Sequence, residues 1–207
     1  MSSFLGRGPR VSDEQKKRIP PGQYFTEKWP VLHYGSVPRV DLKTWDFKVW
    51  GEVDNPFEFD WAEFKTLLRK PIHTDIHCVT RWSRLDMDFE GVAIQTILER
   101  AKLRPTARFV VIHAEQGYTT NLPIEVLDDD DVLLADIADG APLTPDHGYP
   151  LRLVVPKRYS GRAPNGSAGS SSPRLTSRVS GSATATTTTL IRGRKSASAT
   201  RAAEQAQ

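Results

Sequence analysis

Cys78 is the residue whose type and surroundings point most directly to chemistry. It is the single cysteine of the 207-residue chain, which excludes an internal disulfide and a zinc site built from several cysteines. Its neighbours His77, Thr80, Arg81 and Arg84 form a polar and cationic run. Nearby positive charge favours the thiolate, the form that binds metals or attacks electrophiles. The alternative is a small buried apolar side chain, which a lone cysteine in a strand most often is.

A cysteine nucleophile would also need a histidine base. His77 directly precedes Cys78, so in a strand its side chain points to the opposite face. The remaining histidines are possible bases, although no cysteine-hydrolase motif surrounds any of them: His33, His73, His113 and His147.

A second cationic group lies around the turn sequence DHGYP and comprises His147, Arg152, Lys157 and Arg158. In PLRLVVPKRY, Arg152 and Lys157 are predicted at the two ends of one strand. Their charged groups would suit a phosphate or another polyanion. A surface strand with solvated basic ends would have the same pattern. Likewise, His33 in VLHYGSVP is compatible with a purely structural loop histidine.

Short strands and helices alternate in the part of the chain that carries these residues. WDFKVWGEV alternates with a period of two, as a half-buried strand does. In FEFDWAEFKTLLRK, Asp60 and Glu63 have capping-box spacing and predict a helix whose buried face carries Phe64, Leu67 and Leu68. GVAIQTILERAKL predicts an amphipathic helix, whereas DIHCVTRW, FVVIHAEQGYTTNLP, VLLADI and PLRLVVP predict strands. The mixture predicts an α+β fold with mixed, irregular sheets.

Composition divides the chain into three parts. Residues 1–20 are polar and predict an exposed N-terminal arm, and residues 21–159 predict the folded domain. All five tryptophans precede residue 160, and residues 160–207 contain no aromatic residue. Such a low-complexity segment buries too little apolar surface to offset its ordering entropy, so we expect a disordered tail.

The positive charge belongs to this tail. Seven of the 28 Lys and Arg residues and one of the 25 Asp and Glu residues follow Ser160, which leaves the preceding part mildly acidic. No aromatic residues are interleaved with the basic ones, so nucleic acid is not an expected partner. No apolar stretch is long enough for a membrane helix, and the N-terminus lacks a signal-peptide core. We therefore expect a cytoplasmic protein with no membrane partner.

Several motifs together resemble the sulfite-oxidase-like family of molybdopterin oxidoreductases. DIHCVTRWSRLD resembles the family's metal-binding loop. VLHYGSVP, GYTTNLP, DVLLA followed by GAPL, and DHGYPLRLVVPKRY resemble further family segments, in the family's order. The likeness spans about residues 20–159 and is greatest to small cytoplasmic-type members that consist of the molybdopterin domain alone.

The resemblance implies an enzyme with a molybdenum–molybdopterin cofactor that transfers an oxygen atom to or from a small substrate, such as sulfite or an S- or N-oxide. It implies Cys78 as the protein's metal ligand, with Cys78 and Arg81 catalytic. Without a heme or flavin motif, electrons would pass through a separate partner. The cofactor-binding residues that the resemblance implies are His33, Cys78, Thr80, Arg81, His147, Arg152 and Lys157.

The tail departs from the family at Ser160 in a specific way. The family continues with a stretch resembling FWKSAKWVRG, whereas this chain has SGRAPNGSAG. Suitable codons for SGRAPNGSAG encode FWKSAKWVRG after insertion of a single T, and the same offset turns SGSATATTTTLIRGRK into FWERNGYHNHADPWKE. We therefore expect residues 160–207 to be a frameshifted translation of the family's C-terminus, leaving the domain incomplete; a genuine disordered tail is the alternative. A frameshifted gene would make a non-catalytic remnant the rival to an active oxidoreductase.

Overall fold

A computed structural model describes residues 11–31, 37–114 and 119–158, together with the backbone of Thr176–Ser180. These residues form two mixed β-sheets with few and short helices, which confirms the α+β prediction. His33 lies outside the described residues.

The first sheet is organised around the long strand β5 (Trp82–Ala93). Antiparallel partners are β4 (Arg69–His77) on one side and β8 (Leu133–Ala138) at the far end of β5. The short strand β1 (Tyr24–Phe25) runs parallel to the start of β5. Beyond β8 lie two further antiparallel strands, β9 (Ala141–Pro142) and β10 (Arg152–Val154). The β4–β5 hairpin turns at Cys78, and β10 brings Arg152 into the same sheet.

The second sheet has two hairpins with one strand between them. One hairpin is β2 (Asp46–Gly51) with β3 (Phe57–Asp60), and the other is β6 (Phe109–His113) with β7 (Thr119–Pro123). Strand β11 (Thr176–Ser180) lies parallel to β2 and antiparallel to β6. This strand belongs to the tail, for which the sequence predicts no ordered structure. Strands β2 and β6 present backbone hydrogen-bonding groups that an extended segment of almost any sequence can satisfy, so this pairing needs no sequence pattern in the tail.

Four short helices are described: α1 (Asp13–Arg18), α2 (Trp61–Lys65), α3 (Ile94–Ala101) and α4 (Ile124–Leu127). The predicted capping box of α2 is confirmed, since the Asp60 side chain accepts from the Glu63 amide at 2.8 Å. The predicted burial of Leu68 is wrong. Helix α2 ends before it, and Leu68 is 82% exposed. No helix in the described part of the chain is long and apolar enough to cross a membrane.

Helix α1 lies within the predicted polar arm and was not predicted. Ser12 and Gln15 form a capping box at its start. At its end, the guanidinium of Arg18 pairs with the carboxylates of Asp75 on β4 and Asp86 on β5. The described part of the arm is therefore tied to the first sheet through these ion pairs.

Alternation along the strands separates two apolar clusters on opposite faces of the first sheet. The larger cluster fills the space between the two sheets and includes Leu151 and Leu153. The smaller cluster includes Cys78, Trp82 and Val154. Because successive side chains of a strand point to opposite faces, Arg152 lies on the same side of β10 as Val154, towards Cys78.

Candidate functional site

A tight turn holds Cys78 at the end of the β4–β5 hairpin. The Cys78 amide donates to the Trp82 carbonyl at 2.8 Å, and the Arg81 amide donates to the Cys78 carbonyl at 2.9 Å. Arg81 has a φ of 73°, in the left-handed region where a three-residue hairpin loop usually carries glycine. An arginine here costs backbone energy, and strain of this kind concentrates at functional sites.

The thiol of Cys78 is fully buried within the smaller apolar cluster. Its polar contact among the described residues is with Thr80, whose hydroxyl donates to the Cys78 sulfur at 3.1 Å. Thr80 itself is exposed, so the turn places a buried sulfur directly beneath a solvent-facing loop.

Arg152 is the second element of the site and is only 1% exposed. One guanidinium nitrogen, Nη1, donates to the His147 carbonyl at 2.9 Å. The other two, Nε and Nη2, are buried and have no hydrogen-bond partner among the described residues. Burial lowers the pKa of Arg152 to about 9, and the nearby Cys78 opposes that shift by favouring the charged form. The site thus combines a thiol with a cation that still has two donors to offer.

His147 and Trp29 form the wall beside Arg152. Their rings stack with centroids 4.1 Å apart, and the guanidinium of Arg152 lies 4.8 Å from the Trp29 ring. His147 Nε2 lies 3.2 Å from the Trp29 carbonyl and Nδ1 lies 2.8 Å from the Thr144 hydroxyl. Nε2 therefore donates to the Trp29 carbonyl, and burial lowers the pKa of His147, which favours the neutral ring whose Nδ1 accepts from the Thr144 hydroxyl. After it, Gly148 adopts a φ of 101° and approaches Arg152 so closely that a Cβ would lie 3.3 Å from the Arg152 Cβ.

The predicted site residues therefore fall into two groups. In the first group, Thr80 and Arg81 lie in the Cys78 turn, Arg152 interacts electrostatically with Cys78, and His147 contacts Arg152. The exposed Arg81 guanidinium has no ion-pair partner among the described residues.

Lys157 lies elsewhere. Strand β10 ends at Val154, so Arg152 and Lys157 do not occupy the two ends of one strand as predicted. The Lys157 ammonium is exposed and pairs with the carboxylate of Asp129, which raises the pKa of Lys157. No contact in the described ranges joins it to Cys78 or Arg152.

Trp29 is a site residue that the sequence did not reveal. Besides Arg152 and His147, it contacts Arg84, whose guanidinium lies 5.8 Å from the Trp29 ring and pairs with Asp139 at 2.5 Å. Its only signal was a position in a Pro-, Gly- and aromatic-rich segment. That segment had no helix or strand period from which a position in the fold could be derived.

The side chains of Cys78 and Arg152 suit a cofactor that contains both a soft metal and anionic oxygens. A thiolate is a preferred ligand for soft metal centres. The two unpartnered donors of Arg152, and the buried indole N–H of Trp82, which also has no partner in the described part, require acceptors. Phosphate or other anionic oxygens would supply them.

A protein family that binds a cofactor of this kind matches most of the chain. The family model described as the oxidoreductase molybdopterin binding domain matches residues 34–164. The chain belongs to this family. The oxidoreductase YuiH of Bacillus subtilis (strain 168) is 43% identical over 153 residues, which cover 73% of this chain and 77% of YuiH. The predicted likeness to molybdopterin oxidoreductases is thereby confirmed.

Proteins that match at lower identity are considerably longer than this chain. The NADPH nitrate reductase of Fusarium oxysporum is 28% identical over 162 residues, which cover 64% of this chain and 18% of that enzyme. Among solved structures, the sulfane dehydrogenase SoxCD of Paracoccus pantotrophus matches with a TM-score of 0.62 and 15% identity, over 88% of this chain and 56% of that one. At that identity the match supports a common fold.

Proposed function

We propose that this protein is a molybdenum-cofactor-dependent oxidoreductase that transfers an oxygen atom to or from a small substrate such as sulfite or an S- or N-oxide. The observation that carries the proposal is the buried guanidinium of Arg152, with two unpartnered donors, beside the buried thiol of Cys78. A buried cation without an anion is strongly unfavourable, so the pair is best explained by a bound group that satisfies both.

In this proposal Cys78 is the metal ligand and Arg152 binds an anionic portion of the cofactor. When bound, the cofactor supplies two-electron oxygen-atom transfer between substrate and water. The Thr80 hydroxyl orients the thiolate through its 3.1 Å contact with sulfur. His147 fixes Arg152 through its backbone carbonyl and through the Trp29 stack, and thereby aims the free donors of the guanidinium. The proposed cofactor-binding set also includes His33 and Lys157, which the resemblance implies.

We assign substrate contact to Arg81. Its guanidinium is exposed three residues from Cys78, whereas Arg84 is engaged by Asp139 and Trp29. An unpaired guanidinium suits an oxyanion, because its planar donors match two oxygens at once. This favours an anionic substrate such as sulfite within the proposed class.

Electron transfer is assigned to a separate protein partner, and we propose that the enzyme acts in the cytoplasm. The relatives named nitrate reductase carry NADPH, NADH or NAD(P)H in their names, and the match covers about a fifth of their length. The regions of those enzymes beyond the match have no counterpart in the described domain.

The experiment begins with the metal content of the purified full-length chain. We expect about one molybdenum per chain by mass spectrometry, and turnover in a screen of sulfite and S- and N-oxides. Cys78→Ser should abolish turnover while the far-ultraviolet circular dichroism stays unchanged. Thr106→Val removes an exposed hydroxyl whose bond is to Glu52, and serves as a matched control that retains activity. Full activity in Cys78→Ser would refute the metal role.

A non-catalytic remnant with the same fold is the second candidate, and it would follow from a frameshift in the gene. We propose that residues 160–207 arise from a one-base frameshift after the Tyr159 codon. Sequencing the encoding DNA decides between the two origins of the tail. An error-free frame with no family sequence in the neighbouring frame would refute the frameshift. A folded protein without molybdenum would support the remnant over the enzyme.

A further inference from the structure

A chain of hydrogen bonds runs behind the Cys78 turn and ends on the Cys78 backbone. His77 Nδ1 lies 2.8 Å from the Ser83 hydroxyl, and that hydroxyl donates to Gln23 Oε1 at 2.7 Å. Gln23 Nε2 then donates to the Cys78 carbonyl at 3.1 Å. None of these contacts involves the Cys78 sulfur, so metal ligation by Cys78 does not account for them.

The direction of this chain follows from its chemistry. A serine hydroxyl has one proton, and Ser83 uses it on Gln23. Ser83 therefore accepts from His77, which requires the proton on Nδ1 of that ring. The Gln23 amide is fixed in turn, with its oxygen towards Ser83 and its nitrogen towards Cys78. All donors point towards the Cys78 carbonyl, an arrangement in which each bond polarises and strengthens the next.

The backbone next to Gln23 is held against the same turn. The Tyr24 amide donates to the Arg81 carbonyl at 2.9 Å, and the Thr26 amide donates to the Ser83 carbonyl at 2.9 Å. Ser83 is fully buried, so its hydroxyl cannot exchange Gln23 for water. The Gln23 side chain is thus anchored at both ends, by strand β1 and by the hydrogen bond from Ser83.

We propose that Gln23 is a positioning residue for the thiolate of Cys78, with Ser83 and His77 fixing the orientation of its amide. The inference rests on the proposed function of Cys78 as the metal ligand. The carbonyl that Gln23 holds and the side chain that carries the sulfur share the Cys78 Cα. Fixing this peptide plane restricts where the sulfur lies, and supporting contacts of this kind set the geometry of a metal site.

The test uses the full-length chain with substitutions along the hydrogen-bonded chain. Gln23→Met keeps the size of the side chain and removes the donor. His77→Asn retains an N–H group near the Nδ1 position, whereas His77→Leu removes it. Thr26→Val is the matched control, since the Thr26 hydroxyl bonds within its own segment and not to the turn.

Two measurements report on the sulfur. One is the sulfur-to-molybdenum charge-transfer absorption of the oxidised holoprotein, and the other is the rate of Cys78 alkylation by iodoacetamide in cofactor-free protein. We expect Gln23→Met and His77→Leu to shift the absorption band and to raise the alkylation rate about three- to tenfold, the factor that one lost hydrogen bond gives. His77→Asn and Thr26→Val should stay within twofold of the wild type.

Wild-type values of both measurements in Gln23→Met would overturn the proposal, as would an equal effect of Thr26→Val. If Gln23→Met does not fold, the His77→Asn and His77→Leu pair decides, and equal behaviour of those two variants refutes the assignment. A wild-type protein that binds no molybdenum would refute the proposed function instead, and the alkylation series would still test Gln23 independently.

Discussion

Replacing Arg81 by glycine should separate the stability of the turn from its function. Arg81 has a φ of 73°, and a non-glycine residue in the left-handed region costs about 1–2 kcal/mol. The greater freedom of glycine in the unfolded chain offsets about 0.5–1 kcal/mol of the relief. Because the guanidinium is exposed and unpaired among the described residues, little else is lost. We expect Arg81→Gly to raise the free energy of unfolding by about 0.5–1 kcal/mol.

The same substitution should lower activity. A guanidinium bound to an anionic substrate contributes a charge-assisted hydrogen bond, whose loss should reduce kcat/KM about ten- to a hundredfold. Urea unfolding measures the first effect and steady-state kinetics on the holoprotein the second. Lys102→Gly is the matched control, because Lys102 is also exposed, has a φ of 54° and ends helix α3. It should gain similar stability with unchanged kcat/KM. A destabilised Arg81→Gly, or one that keeps wild-type kcat/KM, would show that the argument about this turn is wrong.

Three further predictions concern burial, packing and charge. Arg152→Met removes a buried unpaired charge, so in urea unfolding the cofactor-free variant should be as stable as the wild type or up to about 1–4 kcal/mol more stable. Its molybdenum content should fall. A large loss of stability would contradict this prediction. Gly91→Ala should destabilise the fold by about 1–3 kcal/mol or more in the same assay, because the new Cβ would lie 2.1 Å from the Leu134 carbonyl oxygen. Wild-type stability of this variant would contradict the close contact between β5 and β8. Pairing with Arg18 lowers the pKa of Asp86, so this contact is complete above the ordinary carboxyl range near pH 4 and is lost as the pH falls through the lowered pKa. The protection factors of the helix α1 amides, taken relative to intrinsic exchange at each pH, should therefore fall in acid, and Arg18→Gln should remove that pH dependence.

Local sequence patterns predicted the elements whose formation depends on nearby residues. The capping box of Asp60 and Glu63 and the alternation around Phe47 depend on spacings of two to four residues, and both are present in the fold. The prediction that Leu68 is buried was wrong because the helical period of the sequence continues past the residue where helix α2 ends. Whether a helix continues depends on the sheet it meets, and that information is not local.

The candidate site depends on longer-range packing. A cationic run identified Cys78, and a Gly turn identified Arg152, but no local sequence pattern related them. Their proximity arises in the smaller apolar cluster, which joins Cys78 to Val154, the residue on the same face of β10 as Arg152. The stack of Trp29 on His147 likewise joins residues from distant parts of the chain, and no periodicity reports it. A family resemblance can bring such residues together, whereas propensity cannot.

The position of β11 has a consequence for how the chain folds during synthesis. In the described structure, β2 and β6 meet only through this strand, and Thr176 pairs with Lys48, about 130 residues earlier. The two hairpins emerge from the ribosome long before the strand that joins them, and until then the edges at β2 and β6 that β11 later covers are unpaired. Unpaired edges can pair with strands of other chains, so the nascent protein is exposed to aggregation until its C-terminus is made. Any change that delays or alters the segment after Tyr159 prolongs that interval, whatever its effect on the finished site.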